Sequence, residues 1–255
     1  HSNVIRLIIG NETLWRGDAE IEKLIAYLDR AREAVRQPVS TAEPWHVWLK
    51  HPELAEHVDY IAVHMLPYWE GVAVEGAVEH LAARMEQLEE AFPGKQIIIM
   101  EVGWPSDGRT REAAVASPSN QSLFLRRFLR KAKDEGYVYY IVEAFDQPWK
   151  AREEGSAGAY WGLYNVNREA KFTFVEPIVR VPGWQKLAAI SVSIAALLLG
   201  LFFVHSKTLG TRGRSFLAVV VYSAATALVL VVYDYSQKYL TIASALSGIL
   251  LILGM

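Results

Sequence analysis

Between Val4 and Phe145, short apolar runs alternate with stretches whose apolar residues recur at helical spacing. "VIRLII" predicts a first strand. A helix is predicted from Asp18 to Arg36, with Ile21, Leu24, Ile25, Leu28 and Val35 on one face. Asp18, Glu20 and Glu22 at its start and Arg30, Arg32 and Arg36 near its end suit the helix dipole, and Pro38 stops it. "VSTA" predicts a second strand ending at Glu43, a shorter helical stretch covers Val47 to Val58, and "YIAVHML" predicts a third strand. A helix from Val74 to Phe92 ends at Pro93-Gly94, and "QIIIM" predicts a fourth strand ending at Glu101. Ser119 or Asn120 is the expected cap of the next helix, which runs to Gly136, and "YVYYIVEAF" predicts a fifth strand.

Strands alternating with helices imply parallel βα units with right-handed crossovers. An open doubly wound sheet is one solution. The polar residues favour another: Glu12, Glu43, Glu101 and Glu143 all lie at or near C-terminal strand ends. A (β/α)8 barrel gathers its active groups there. Such a barrel takes about 250 residues, so about three βα units are expected upstream of this chain.

From Leu187 the pattern changes, because charged residues nearly vanish after Lys186. The chain thus divides into a soluble part, 1–180, and a membrane part, 181–255. Three spans are predicted, 187–204, 216–233 and 239–255, the last cut short. Trp184, Tyr233, Tyr235 and Tyr239 sit at span ends as interfacial anchors do. The loop His205–Ser215 carries Lys207, Arg212 and Arg214 and no acid, which predicts a cytoplasmic loop. The soluble part would then face the periplasm or the exterior from an inner (cell) membrane. With no initiator Met and an end inside "YLTIASALSGILLILGM", the chain reads as an internal piece of a longer one.

Composition narrows the function. Net charge is −2 with both signs interspersed, which does not suggest a nucleic-acid binder. Cysteine is absent, so disulfides and thiolate zinc sites are excluded. His46, His51, His57 and His64 lack the H-E-x-x-H spacing, and no G-x-G-x-x-G or P-loop occurs. We therefore expect neither a metal site nor a cofactor.

The segment "VIRLIIGNETLWRGD" poses the chemical question, since an apolar strand ends abruptly in Asn11-Glu12. Three readings compete: an acidic surface loop, a glycosylation acceptor at Asn11-Glu12-Thr13, or half of a catalytic pair. Asn120-Gln121-Ser122 is a second sequon. Glu12 and Glu101 end strands three βα units apart, so a closed barrel could set them across its mouth. A retaining glycosidase needs two carboxyls about 5–5.5 Å apart, one as nucleophile and one as acid/base.

"GNETLWRGD", "HMLPYWEG", "EVGWPSDGRTR", "ASPSNQSLFLRRFL", "EAFDQPWK" and "YWGLYN" together resemble glycoside hydrolase family 17, notably its bacterial membrane-linked members acting on β-1,3-glucans. The likeness spans roughly His1 to Phe174. It implies a (β/α)8 barrel in which the first strand here is the fourth, so that the chain holds strands four to eight. It further implies Glu12 as acid/base and Glu101 as nucleophile, with Asn11 bonding the sugar 2-hydroxyl. Glu143 matches a further site carboxylate on strand eight, and His64 falls on strand six facing the site. Glu43 is grouped with the substrate-binding residues. Tyr68, Trp69, Trp104, Trp149 and Trp161 are candidate sugar surfaces, although aromatic rings also dominate cores.

The leading expectation is a membrane-tethered β-1,3-glucan hydrolase or transglycosylase working by double displacement. Its expected partners are the glucan, membrane lipid and a glycosyltransferase on the same chain; no nucleic acid is expected. A glucan-binding or scaffold domain without catalysis is the alternative, and loss of Glu12 or Glu101 would favour it. A transporter would need charged residues within the spans, whose polar members are mainly Ser and Thr.

Overall fold

The computed structural model describes residues 3–205 and 210–238, except 173, 180 and 182. The chain divides into two units, His1–Ile178 and Val179–Met255. In the first, one parallel sheet carries β1 (Leu7–Asn11), β2 (Val39–Pro44), β3 (Ile61–Met65), β4 (Ile97–Val102) and β5 (Val138–Ile141) in chain order. Helices α1 (Ile21–Ala34), α2 (Trp45–Lys50), α3 (Ala77–Ala91) and α4 (Pro118–Glu135) lie between the strands in sequence. The order contains no reversal, the mark of a doubly wound sheet.

The strands and helices expected between Val4 and Phe145 are all present, with instructive differences at their ends. The helical stretch after β2 is α2 followed by a 3-10 helix, Pro52–His57. Pro52 has no amide proton and pushes His51 out of the helical region, to φ −125° and ψ 63°. The cap of α4 is Ser117, whose hydroxyl accepts from the amide of Asn120, so the helix starts earlier than either expected cap. Gly136 closes α4 at φ 71°. β5 stops at Ile141 because the chain beyond it pairs with a returning segment. Leu163 N donates to Glu143 O at 2.9 Å and Tyr164 N to Ala144 O at 2.9 Å.

β3 is buried at every residue, as a parallel strand covered on both faces must be. Leu28, Trp48, Leu54, Leu81, Phe124 and Phe128 belong to the larger core cluster, which draws residues from the sheet and all four helices. Each side chain of this size contributes about 1.5–3 kcal/mol on burial. A second, smaller cluster holds Ala42, Tyr60, Ala62 and Ile98, with Ile8 and Met100 alongside. Arg6, just ahead of β1, donates to the hydroxyl of Tyr140 on β5 at 3.5 Å. A flat sheet would set its first and fifth strands about 19 Å apart. The sheet therefore curls strongly.

In the second unit, α5 (Trp184–His205) and α6 (Thr211–Lys238) are long and apolar enough to cross a membrane. They pack together, burying Ala195, Ala225 and Val229. Predicted spans 187–204 and 216–233 lie inside these helices; 239–255 lies outside the described residues.

Candidate active site

The end of β1 is an unusual piece of backbone. Gly10 has φ +89°, and a Cβ there would meet Thr13 Oγ1 at 2.6 Å, so only glycine fits. Glu12 itself takes φ +55°, a region non-glycine residues rarely enter and one that clusters at functional sites. Its amide donates to Ala42 O on β2 at 2.7 Å, and its carbonyl accepts from Arg16 N at 2.8 Å. Glu43, fully buried on β2, fixes the turn that follows. Its two oxygens accept from the amides of Leu14 at 2.9 Å and Trp15 at 3.2 Å. Both oxygens of Glu43 face backbone rather than an open site, which corrects its grouping with the sugar-binding residues. It anchors the Glu12 turn.

The side chain of Glu12 is held on both sides. Oε1 meets His64 Nδ1 at 3.0 Å, and Oε2 accepts from Arg16 Nη2 at 2.8 Å and Nε at 3.2 Å. His64 is buried on β3 and is the register partner of Glu101 on β4. Its Nε2 lies 3.8 Å from Glu101 Oε1, beyond hydrogen-bond length. Two carboxylates from non-adjacent strands thus face opposite nitrogens of one imidazole.

Beyond β5 the carboxylate of Glu143 accepts from Lys150 Nζ at 3.0 Å. Glu154, whose amide bonds to Lys150 O at 2.8 Å, interacts electrostatically with Lys150, Glu101, Glu143, Glu12 and Arg16. Glu143 Oε1, His64 Nε2 and Trp161 Nε1 are buried and have no hydrogen-bond partner among the described residues.

Protonation follows from this layout. Burial raises Glu101, with Glu12 and Glu143 adding repulsion, while His64 and Lys150 oppose the rise. Burial also acts to raise Glu12, but the bonds and charges of His64 and Arg16 outweigh it and hold it below the ordinary carboxylate range. Burial raises Glu43 and Glu154 as well.

The aromatic candidates separate into two groups. Trp149 is 56% exposed and its Nε1 donates to Gln147 Oε1 at 3.0 Å. Trp69 is partly buried and contacts Tyr68 and Trp161, with Arg111 over its ring. Tyr68, Trp104 and Trp161 are 1%, 0% and 3% exposed. Tyr68 spends its hydroxyl on Arg109 O, and Trp104 Nε1 donates to Val115 O at 3.0 Å. The sugar surface expected of Tyr68 and Trp104 is therefore not presented: both pack in the core.

Asn11 is exposed at the strand end beside Glu12. The second sequon is used internally: Asn120 Nδ2 donates to Val115 O, and Gln121 and Ser122 are buried. Among the described residues no cluster of three or more potential metal ligands occurs.

Arg16, Lys150 and Glu154 were not singled out in the sequence. Arg16 lies four residues after Glu12, the spacing that a closed turn brings together, and that spacing was the available signal. Glu154 had none, since the acid pair in "AREEG" reads as solvated surface.

A family model described as the BtgE/BtgC glycoside hydrolase domain matches residues 1–162. The cell surface mannoprotein MP65 of Candida albicans is 28% identical over 170 residues, 64% of this chain and 44% of that protein. A glucan 1,3-beta-glucosidase of Arthroderma benhamiae is 27% identical over 186 residues, 66% of this chain and 60% of that protein. Among solved structures, the glycoside hydrolase family 17 beta-1,3-glucanosyltransferase from Rhizomucor miehei matches with TM-score 0.62 and 32% identity, covering 68% of this chain and 65% of that one. An active-site mutant of the same enzyme, in complex with laminaritriose, matches with TM-score 0.62 and 31% identity over the same shares. The chain spans less than two thirds of each of these relatives.

Proposed function

The chain belongs to the glycoside hydrolase family that the BtgE/BtgC domain describes, and from that premise we propose that it forms part of a retaining β-1,3-glucan hydrolase or transglycosylase tethered to a membrane. The observation that carries this reading is the Glu12–His64–Glu101 constellation at the C-terminal ends of β1, β3 and β4. The five strands are strands four to eight of a (β/α)8 barrel; their unreversed order and strong curl support this.

In this mechanism Glu101 attacks the anomeric carbon while Glu12 gives its proton to the departing glycosidic oxygen, leaving a glucosyl-enzyme ester. Glu12, now a carboxylate, takes a proton from the acceptor, which attacks the same carbon and frees Glu101. Water as acceptor gives hydrolysis; a glucan hydroxyl gives a transferred chain. Asn11 binds the sugar 2-hydroxyl. The partly exposed side chain of Glu143 can meet a further hydroxyl, and exposed Trp149 offers a stacking face. The rings of Trp69 and Trp161 shape the wall beside it.

Helices α5 and α6 anchor the enzyme, with the glucan-active part periplasmic or extracellular. A glycosyltransferase on the same chain would supply the glucan. The test is turnover of laminarin by the full-length protein, with products separated by size. Glu101→Gln is expected to abolish both shortened and lengthened products. Substantial turnover by that variant would sink the assignment.

A further inference from the structure

Both oxygens of Glu12 are occupied, and the two sides differ. The Oε1 side is closed by His64, whose side chain is 2% exposed, while the Oε2 side is covered by Arg16, 49% exposed. A sugar approaching from solvent can reach only Oε2. The departing glycosidic oxygen must therefore come to the atom that now accepts two N–H groups from Arg16. A guanidinium has no acceptor and no proton to release, so while it stays there Glu12 cannot carry a proton on that oxygen.

We propose that Arg16 guards the proton-donating oxygen of Glu12 in the empty site and swings to Glu154 when the leaving-group sugar arrives. This rests on the role given to Glu12 above. Three features carry it. The guard is a half-exposed ion pair, which is a weak restraint. Arg16 follows Glu12 on a turn whose backbone is fixed independently by Glu43, so its side chain can leave without unravelling the turn. Glu154 is near enough to act electrostatically with both Arg16 and Glu12, which makes it the second seat in this proposal. Glu12 is thus acted on by His64 from β3 and Arg16 from its own turn, and it in turn repels Glu43 on β2, Glu101 on β4 and Glu154 in the segment after β5. Once Arg16 has moved, Glu12 takes a proton from solvent, and that proton passes to the glycosidic oxygen as the bond to the anomeric carbon breaks.

The arrangement has a consequence for pH profiles. The alkaline limb of kcat/KM reports the acid in the free enzyme, where Arg16 sits on Glu12. The alkaline limb of kcat reports the same acid in the complex, where Arg16 has left. In the wild-type full-length protein acting on laminari-oligosaccharides, the kcat limb is expected at higher pH than the kcat/KM limb. Arg16→Gln should move the kcat/KM limb up by about one pH unit, the lower end of the effect of a neighbouring opposite charge, and leave the kcat limb in place. Glu154→Gln should move the kcat limb down toward the kcat/KM limb, because Arg16 has lost its second seat. Arg16→Lys should restore part of the wild-type separation. A kcat/KM limb unmoved by Arg16→Gln, or both limbs moved equally, overturns the proposal. Those results leave the assignment of Glu12 and Glu101 standing, which fails only if their Gln variants remain active.

Discussion

His64 and Glu101 are register partners on adjacent parallel strands, and the imidazole that meets Glu12 at 3.0 Å lies 3.8 Å from Glu101. One buried ring therefore sets the spacing of two carboxylates that no backbone ladder joins directly. Replacing His64 with Ala is expected to lower kcat on laminarin about 10²-fold, the scale attached to a misplaced reacting group, with a smaller change in KM. Steady-state kinetics beside a thermal melt would check this; a KM effect without a kcat effect would assign the ring to sugar binding instead.

Glu43 is the next residue whose loss should be felt at a distance. Glu43→Ala leaves the amides of Leu14 and Trp15 without their acceptor, at about 1–3 kcal/mol for each one left unsatisfied. The melting temperature and kcat should fall together, because the turn carrying Glu12 loosens. Glu43→Gln keeps one acceptor oxygen and should fall between the two.

Trp149 and Trp104 should separate cleanly. Trp149, 56% exposed, is expected to raise KM when changed to Ala while leaving the melt unchanged. Trp104, fully buried with its indole N–H on Val115 O, should cost about 3–5 kcal/mol in stability. Ligand titration of both variants with laminaritriose, alongside chemical denaturation, distinguishes the two.

Stability should depend on pH through the buried carboxyls. Burial raises Glu101, Glu43, Glu154 and Asp146, so each binds more protons folded than unfolded above its unfolded value, about 4. Their contributions fall as pH climbs from that value through the folded one. Glu12, lowered by His64 and Arg16, acts oppositely: its contribution is present above its unfolded value and is lost as pH falls through the folded one. Glu101→Gln should therefore melt higher than wild type at pH 7 while being inactive. That gap should close below about pH 4, where Glu101 is protonated in both states. A gap that does not change with pH would assign the effect to packing.

The outer strands make a final prediction. Among the described residues β1 and β5 each pair on one side only, and Ile5 just before β1 and Val138 and Tyr140 on β5 are exposed. Open edges of this kind invite pairing with other chains. Residues 3–178 expressed alone should aggregate, and the same residues preceded by further βα units should be monomeric by light scattering. A monomeric, cooperatively melting 3–178 would count against the eight-stranded reading.

Strand and helix positions were legible because most strands carry an apolar run and each helix keeps its apolar face; β2 is buried in spite of Ser40 and Thr41. The pair Glu12 and Glu101 was legible for the same reason, since both stand where such runs stop. What the pattern could not carry was the direction of polar side chains. Glu43 and Glu101 occupy equivalent strand ends, yet one turns its oxygens to backbone amides and the other toward an imidazole. The pattern could not sort the tryptophans either, because buried Trp104 and exposed Trp149 differ in exposure rather than in any local signal. Arg16 and Glu154 belong to turns whose closure depends on contacts far apart in sequence.

The anchoring of the Glu12 turn bears on how such an enzyme can change over generations. Glu43 grips only the main-chain amides at Leu14 and Trp15, so the geometry of the turn is indifferent to the side chain carried at position 15. Trp15, 56% exposed three residues after Glu12, is thus open to mutation without disturbing the turn that carries the proposed acid. Selection can vary that exposed face while the backbone turn beneath Glu12 is inherited unchanged.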